Sequence, residues 1–177
     1  MAGEPKDDNE ITRLKDFYDL QPHPEGGYYK ESYRSEDSVK NLEGDDRAAS
    51  TAIFFLVTKE SVSRLHKIKS DEMWHFYKGC PLCVIEMDTN KKTFKRTVLG
   101  HDESKGELLQ YVVPKGTWFG CYPLTEGHTS NFCLVGCTVA PGFDFADFQL
   151  ADRKELLELY KGDESCCEMI EKLCVGL

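Results

Sequence analysis

Three residues with the chemistry of an active site lie close together in the sequence: His66, Glu72 and His75. An imidazole and a carboxylate that face one cavity can form a general acid–base pair, in which the carboxylate fixes the imidazole tautomer and raises its basicity. The same side chains also offer nitrogen and oxygen ligands to a metal ion. The alternative is a structural role, with the histidines hydrogen-bonded inside the fold and Glu72 paired with a basic side chain.

The segment 63–79 must position these three side chains, and its pattern predicts two strands joined by a turn at 69–71. Along a strand, successive side chains point to opposite faces. Glu72 therefore shares a face with Trp74, whereas His75 lies on the other face. We expect His75 to join the site only if a bulge or bend turns the strand between them.

Basic residues near this segment indicate an anionic ligand. Arg64 precedes His66 by two residues, so a regular strand would point it into the same cavity. A guanidinium binds phosphate or carboxylate well because it can donate two parallel hydrogen bonds. The residues predicted to bind the anion are Arg34, Arg47, Arg64 and Lys115. The alternative for each of them is a solvated surface charge.

Composition limits the class of protein. The chain has 177 residues, 40% of them apolar and 30% charged, which is typical of a globular domain. Its net charge of −9 argues against nucleic acid and anionic membranes as partners. No apolar run approaches the roughly 20 residues that span a bilayer, and the N-terminus lacks the apolar core of a signal peptide. We expect a cytoplasmic protein whose cysteines are thiols.

The chain order predicts one domain at 10–177 after a disordered polar tail at 1–9. A helix is expected from Glu10 to Asp19, and two further helices follow Asp152. Residues 35–46 are polar and charged, and they predict a mobile loop that acts as a lid. Strands are predicted at 28–34, 51–58, 63–68, 72–77, 82–88, 93–99, 108–113, 117–122 and 131–139, with a last extended segment at 143–150. So many strands separated by turns favour an all-β barrel or sandwich.

The spacing of His66, Glu72 and Gly79 resembles the first conserved motif of the cupin superfamily. Residues 114–119 resemble the second cupin motif. The resemblance implies a mainly β single cupin (a double-stranded β-helix, or jelly-roll barrel) with peripheral N- and C-terminal helices. Ile68 and Phe119 stand where that family carries metal-binding histidines. The resemblance therefore implies no cofactor; the less favoured alternative is a divalent metal on His66, Glu72 and His75.

Four segments are together similar to an uncharacterised family of cupins. They are 22–29, 70–77, 113–118 and 135–145. This resemblance extends from about residue 20 to residue 150 and implies the fold without supplying a reaction, because cupins host many unrelated functions.

Residues 26–31, Gly-Gly-Tyr-Tyr-Lys-Glu, resemble a strand of the nucleotide-sugar 3,5-epimerases, which are also cupins. The Arg64–His66 pair is similar in outline to the arginine and catalytic histidine of those enzymes. This resemblance implies a nucleotide or nucleotide-sugar ligand and a homodimer with exchanged N-terminal strands. The Tyr–Asp couple of those enzymes has no match at corresponding positions here.

Three functions follow as hypotheses. The first is a cupin that binds a small anionic ligand, a nucleotide or nucleotide sugar, and isomerises or epimerises it with His66 as base. The second is a metal-dependent cupin enzyme, and the third is a binding or scaffold protein without catalysis. The predicted catalytic residues are His66, Glu72 and His75. The predicted ligand-binding residues are Tyr29, Glu31, Arg34, Arg47, Arg64, Lys115 and Trp118.

Overall fold

A computed structural model describes residues 6–174 of the chain. One helix precedes the strands and two follow them. The elements in chain order are α1 (Lys6–Tyr18), β1 (Gln21–Pro22), β2 (Tyr28–Arg34), β3 (Ser38–Lys40), β4 (Asp46–Ala48), β5 (Thr51–Thr58), β6 (Ser63–Lys67), β7 (Asp71–Gly79), β8 (Leu82–Asp88), β9 (Thr93–Leu99), β10 (Gln110–Val113), β11 (Trp118–Pro123), β12 (Phe132–Ala140), β13 (Gln149–Leu150), α2 (Arg153–Leu159) and α3 (Glu164–Leu173).

Two antiparallel sheets face each other as a barrel. The first has the strand order β1-β2-β5-β12-β7-β10, and the second has the order β13-β6-β11-β8-β9. The strands that cross the barrel are rich in β-branched and aromatic residues, which suit a pleated and half-buried surface. Phe55, Trp74, Val84, Phe119 and Val135 belong to one buried cluster between the sheets. This cluster leaves room for a cavity beside β2, β5 and β6.

Helices cover the outer faces of both sheets. Leu14 of α1 packs with Leu56 and Leu134 on the outside of the first sheet. Helices α2 and α3 pack on the outside of the second sheet, where Leu156 and Ile170 are buried. The Asp152 side chain caps α2 by accepting hydrogen bonds from the backbone N–H groups of Lys154 and Glu155. The mainly β barrel with peripheral N- and C-terminal helices that the sequence predicts is therefore confirmed.

Three local predictions differ from the structure. Helix α1 begins at Lys6, inside the segment predicted to be disordered, while residues 1–5 lie outside the described part of the chain. The predicted loop at 35–46 contains β3 and most of the β3–β4 hairpin, because backbone pairing needs no apolar side chains. Residues 143–150 form a 3-10 turn at Phe145–Asp147 before β13, instead of one extended segment.

Strand pairing, cysteine burial and helix length in the described chain relate to three further predictions from the sequence. Strand β2 pairs with β5 of the same chain. The Cys80 thiol donates to the Phe132 carbonyl oxygen. The other seven cysteines are free thiols, and of the eight all except Cys167 are buried. None of the helices within residues 6–174 is long and apolar enough to cross a membrane.

Candidate functional site

A cavity of about 410 Å³ opens between β6 and the inner face of the first sheet. Its size falls in the range of cavities that hold small molecules. It combines carboxylates and histidines with aromatic walls. The lining residues are His23, Glu25, Tyr29, Glu31, Arg34, Thr51, Ile53, Phe55, His66, Ile68, Glu72, Cys137, Val139, Phe143, Asp144 and Phe145.

Glu25 reaches the cavity from the turn between β1 and β2. The turn depends on Gly26, which has a φ of 104° and lies so close to Val62 that a Cβ would come within 2.1 Å of the Val62 carbonyl oxygen. Arg64 holds the turn from the other side. Its backbone N–H donates to the Glu25 carbonyl oxygen at 2.8 Å, and its guanidinium donates to the carbonyl oxygens of Glu25 and Pro24.

The carboxylate of Glu25 joins two histidines. Its Oε2 atom lies 3.3 Å from Nε2 of His66 and 3.3 Å from Nδ1 of His23. Its Oε1 atom accepts a hydrogen bond of 2.7 Å from the Ser63 hydroxyl. These contacts are shielded from water, because Glu25 is 6% exposed and His66 is 2% exposed.

The hydrogen bonds of His66 fix its tautomer. Its Nδ1 lies 2.7 Å from the Arg64 carbonyl oxygen, which can only accept, so Nδ1 carries a proton. Burial lowers the pKa of His66, and the negative charge of Glu25 acts in the opposite direction. The neutral form therefore has its lone pair on Nε2, beside Glu25. A proton taken up by Nε2 would be stabilised there by the carboxylate.

Glu25 and Glu72 have pKa values displaced in opposite directions. Burial would raise the pKa of Glu25, but His66, His23 and the Ser63 hydroxyl outweigh it, and the net pKa is lowered. For Glu72, burial and then the charge of Glu25 raise the pKa to about 8, against a smaller opposing effect of a hydrogen bond from the Cys137 thiol. At neutral pH Glu25 is thus an anion and Glu72 is a carboxylic acid.

Neutral Glu72 is a potential hydrogen-bond donor in the cavity. The residue is 8% exposed and lines the cavity. The Cys137 thiol occupies one of its acceptor positions. Because Glu72 keeps its proton and lines the cavity, its O–H group can donate to a ligand there.

Three predicted ligand-binding residues, Tyr29, Glu31 and Arg34, also line the cavity. Arg34 donates to both carboxylate oxygens of Glu31, at 3.0 and 2.7 Å, and to the carbonyl oxygen of Phe143 at 3.2 Å. It is the one Arg or Lys among the described residues that line this cavity.

Four other predicted ligand-binding residues lie elsewhere. Arg47 is engaged by Asp147, with Nε and Nη2 donating at 2.8 and 2.7 Å. Arg64 holds backbone carbonyls instead of facing the cavity. Lys115 lines a separate surface hollow with other lysines. Trp118 packs with the outer cluster under α2 and α3, and the ammonium of Lys67 lies 4.5 Å from its ring centre.

The structure does not bring His75 to the site. Strand β7 alternates without the required bend between Glu72 and His75, and its pairing with β12 stays in register there. His75 lies on the outer face, where Nδ1 accepts from the Gln110 side-chain amide at 3.0 Å and Nε2 lies 3.1 Å from the Thr138 hydroxyl. His66 and Glu72 share the cavity as expected, and His75 does not join them.

The cavity does not fit the metal arrangement of the cupin motif. Ile68 lines the wall at one ligand position, and the Phe119 ring at another lies 4.1 Å from the His66 ring, centre to centre. Neither side chain has a ligand atom. Within the described chain, no group of three or more His, Cys, Asp or Glu residues is arranged to hold a metal ion.

Sequence reasoning missed two site residues, His23 and Glu25. The sequence of their segment predicts a turn and contributes to a family resemblance, but it indicates no role for either side chain. A usable signal was present, because a histidine and a glutamate two residues apart interrupt a run of turn-forming prolines and glycines. Their partners Ser63 and His66 are far away in the sequence, and only the fold brings them together.

The chain is similar to known proteins over most of its length. A family model described as "Cupin superfamily (DUF985)" matches residues 13–151. An uncharacterised protein of Saccharomyces cerevisiae, YML079W, is 29% identical, with 93% of this chain and 87% of the yeast protein covered.

Two solved structures are also similar. A hypothetical protein from Leishmania major is 39% identical with a TM-score of 0.80, covering 92% of this chain and 96% of that one. Protein SO0799 from Shewanella oneidensis is 34% identical with a TM-score of 0.80, covering 97% and 98%. These matches extend over nearly the whole chain and include the elements that form the cavity.

Proposed function

Since this chain belongs to the DUF985 family of the cupin superfamily, whose fold supplies a barrel cavity but no fixed reaction, we propose that it uses that cavity for general acid–base catalysis. The substrate is a small carbonyl compound, and the reaction moves a proton between the carbon beside the carbonyl and a base. The products of such a reaction are isomers or epimers of the substrate. No metal takes part in the proposed steps.

One observation carries this proposal: two buried carboxyl groups in one cavity have pKa values displaced in opposite directions. Glu72 is an acid at neutral pH, whereas Glu25 is an anion next to His66. Environments that push the pKa values of neighbouring groups apart are typical of paired catalytic acids and bases. A purely structural carboxyl would instead be paired with a cation or exposed to water.

The residues have distinct roles in the proposed reaction. Nε2 of His66 removes a proton from the carbon, and the electron pair of the broken C–H bond forms a carbon–carbon double bond. The carbonyl oxygen gains the displaced electron pair and receives the proton of Glu72. Glu25 stabilises the imidazolium that forms. In a substrate with a hydroxyl on the carbon that lost its proton, His66 then gives that proton to the former carbonyl carbon, and Glu72 recovers a proton from the hydroxyl, which completes an isomerisation. Protonation of the original carbon on its opposite face by water, with return of the enol proton to Glu72 and of the His66 proton to solvent, gives the epimer instead.

The charges of the side chains that line the cavity affect how well it could bind a nucleotide. Arg34 is available at the cavity only in competition with Glu31, and the other predicted anion-binding residues lie elsewhere. Proton transfer is therefore better supported than recognition of a diphosphate. The exchange of N-terminal strands in a homodimer stays a proposal, for which the support is the exposed edge of β2 beyond its short pairing with β1.

Uptake of solvent deuterium tests the proposal. Keto sugars, amino keto sugars and nucleotide-linked keto sugars would be incubated with the protein in heavy water, and exchange of the proton beside the carbonyl would be followed by NMR. We expect exchange with at least one of these classes, and a loss of about 10²–10⁴-fold in Glu72→Gln and in His66→Gln. His75→Gln is the matched control, which should exchange at the rate of the parent protein.

The proposal fails if no class exchanges above the protein-free rate. It also fails if Glu72→Gln and His66→Gln exchange as fast as His75→Gln. Thermal denaturation of each variant would show that loss of exchange is not loss of folding.

A further inference from the structure

The mouth of the cavity has aromatic walls that meet at right angles. The rings of Phe143 and Phe145 are 5.0 Å apart with an interplanar angle of 83°. The rings of His23 and Tyr29 are 4.6 Å apart at 89°, and His23 also stacks on Phe145. Perpendicular aromatic faces around a small volume are the arrangement that surrounds ammonium groups, because each ring face carries partial negative charge.

Phe145 is conspicuous among these rings because it is 51% exposed. It lies on the 3-10 turn at Phe145–Asp147, and the Arg47–Asp147 ion pair fastens this turn to β4. Because the turn is held in place, the half-exposed ring of Phe145 leaves apolar surface in contact with water at the cavity. A ligand in the mouth would cover that surface.

The charges at the mouth favour a cation. Among the described residues, four carboxyl groups and one guanidinium line the cavity. Glu31 is neutralised by Arg34, Glu72 keeps its proton, and Glu25 has His66 and Ser63 beside it. Asp144 is exposed and accepts from the Ala146 N–H. It makes no ion pair within the described chain, although the charges of Arg34 and Arg47 act on it from a longer distance.

We propose that this mouth binds the positively charged nitrogen of a small ligand, either a protonated amine or a quaternary ammonium group. The nitrogen lies against the faces of Phe143, Phe145 and Tyr29, with Asp144 as its counter-ion. The rest of the ligand reaches inward, where the O–H of Glu72 donates to its carbonyl oxygen. This inward part rests on the proposed function, whereas the cation site at the mouth depends only on the aromatic walls and on Asp144.

An anion would bind less tightly than a cation at the same place. Arg34, the one guanidinium among the described residues that line the cavity, already makes two hydrogen bonds to Glu31, and these would have to be broken. A cation over half-exposed aromatic faces gains about 1.4 kcal/mol, which lies between the values for exposed and for desolvated sites. By that measure, a cation should bind on the order of 10-fold more tightly than an uncharged molecule of the same shape.

The test compares choline with dimethylbutanol, its uncharged carbon analogue, and glucosamine with glucose and glucose phosphate. Binding is measured by calorimetry and by NMR shifts of the protein. We expect choline to bind about 10-fold more tightly than dimethylbutanol, and glucosamine more tightly than either glucose or glucose phosphate. Phe145→Leu and Asp144→Asn should each reduce this preference. Phe17→Leu removes a ring that is 72% exposed on α1, and it should leave the preference unchanged.

Equal binding of choline and dimethylbutanol overturns the proposal, as does tighter binding of glucose phosphate than of glucosamine. Absence of choline and glucosamine binding at about 10 mM overturns it as well. Cation preference without deuterium exchange on any keto sugar would keep the cation site and reject the proton transfer. Deuterium exchange without a preference for cations would keep the proton transfer and reject the cation site.

Discussion

Oε2 of Glu25 lies 3.3 Å from Nε2 of His66, although the two residues are far apart in the sequence. The Arg64 carbonyl oxygen holds a proton on Nδ1 of the same ring. These contacts leave Nε2 as the basic atom of a neutral His66, beside an anion that stabilises its protonated form. The pair therefore has the properties of a base assembled from two distant segments of the chain.

The substitution Glu25→Gln tests this relationship. It preserves the size of the side chain and removes its charge, so the imidazolium of His66 loses its stabilising partner. We expect deuterium exchange to fall by about 10²–10⁴-fold, and the free energy of unfolding to fall by about 1–3 kcal/mol because buried hydrogen bonds are disturbed. Urea denaturation and the exchange assay measure the two effects. A variant that exchanges like the parent protein would show that Glu25 does not assist His66.

The raised pKa of Glu72 predicts how stability depends on pH. Between its ordinary pKa of 4.5 and the folded value of about 8, the folded protein holds a proton that the unfolded chain has released. The folded state binds more protons in this window, so the contribution of Glu72 to stability falls as pH rises through it. Denaturation of the parent protein and Glu72→Gln across this pH range should show a shallower loss of stability in the variant. Parallel curves would contradict the raised pKa.

Two glycine substitutions separate backbone strain from close packing. Gly26 and Gly127 both have positive φ, but a Cβ on Gly26 would lie 2.1 Å from the Val62 carbonyl oxygen, whereas a Cβ on Gly127 meets nothing within 4 Å. We expect Gly127→Ala to cost about 1–2 kcal/mol and Gly26→Ala to cost clearly more. Gly26→Ala should also reduce exchange, since it displaces the turn that carries Glu25. Equal losses of stability would mean that the turn relaxes freely.

Two ion pairs of different burial provide another comparison. Arg47 and Asp147 have side chains that are 12% and 5% exposed, and Arg153 and Glu171 have side chains that are 41% and 47% exposed. Arg47→Ala leaves Asp147 without its principal partner, and we expect the melting temperature to fall by roughly 5–10 °C. Arg153→Ala should change it by no more than about 2 °C. If the two variants melt alike, the Arg47–Asp147 pair does not fasten the aromatic turn.

The fold was largely predictable because it depends on local patterns. The strands at 51–58, 82–88 and 93–99 have the bounds predicted for them, since apolar alternation and turn residues delimit them. No apolar periodicity marks the hairpin of β3 and β4, because four of its six strand residues are polar and none of the six is buried. Hydrogen bonds between backbones form this hairpin, and composition does not reveal them.

The site was predictable only in part. His66 and Glu72 were found from their spacing, and strand alternation already indicated the outward position of His75. Arg64 also follows that alternation rule, yet its long side chain turns to the carbonyl oxygens of the neighbouring turn. Glu25 acquires its role from contacts with Ser63 and His66, which no local pattern in the sequence specifies.

An NMR titration of the side-chain carboxyl carbons, with Glu72→Gln to identify the Glu72 signal, tests the central claim most directly. Proton transfer in this cavity requires Glu72 to be an acid where Glu25 is an anion. The account predicts that Glu72 titrates with a pKa of about 8, while the pKa of Glu25 lies below the ordinary value of 4.5. A Glu72 signal that titrates near 4.5 would show that the carboxyl is ionised at neutral pH, and the proposed acid would not exist.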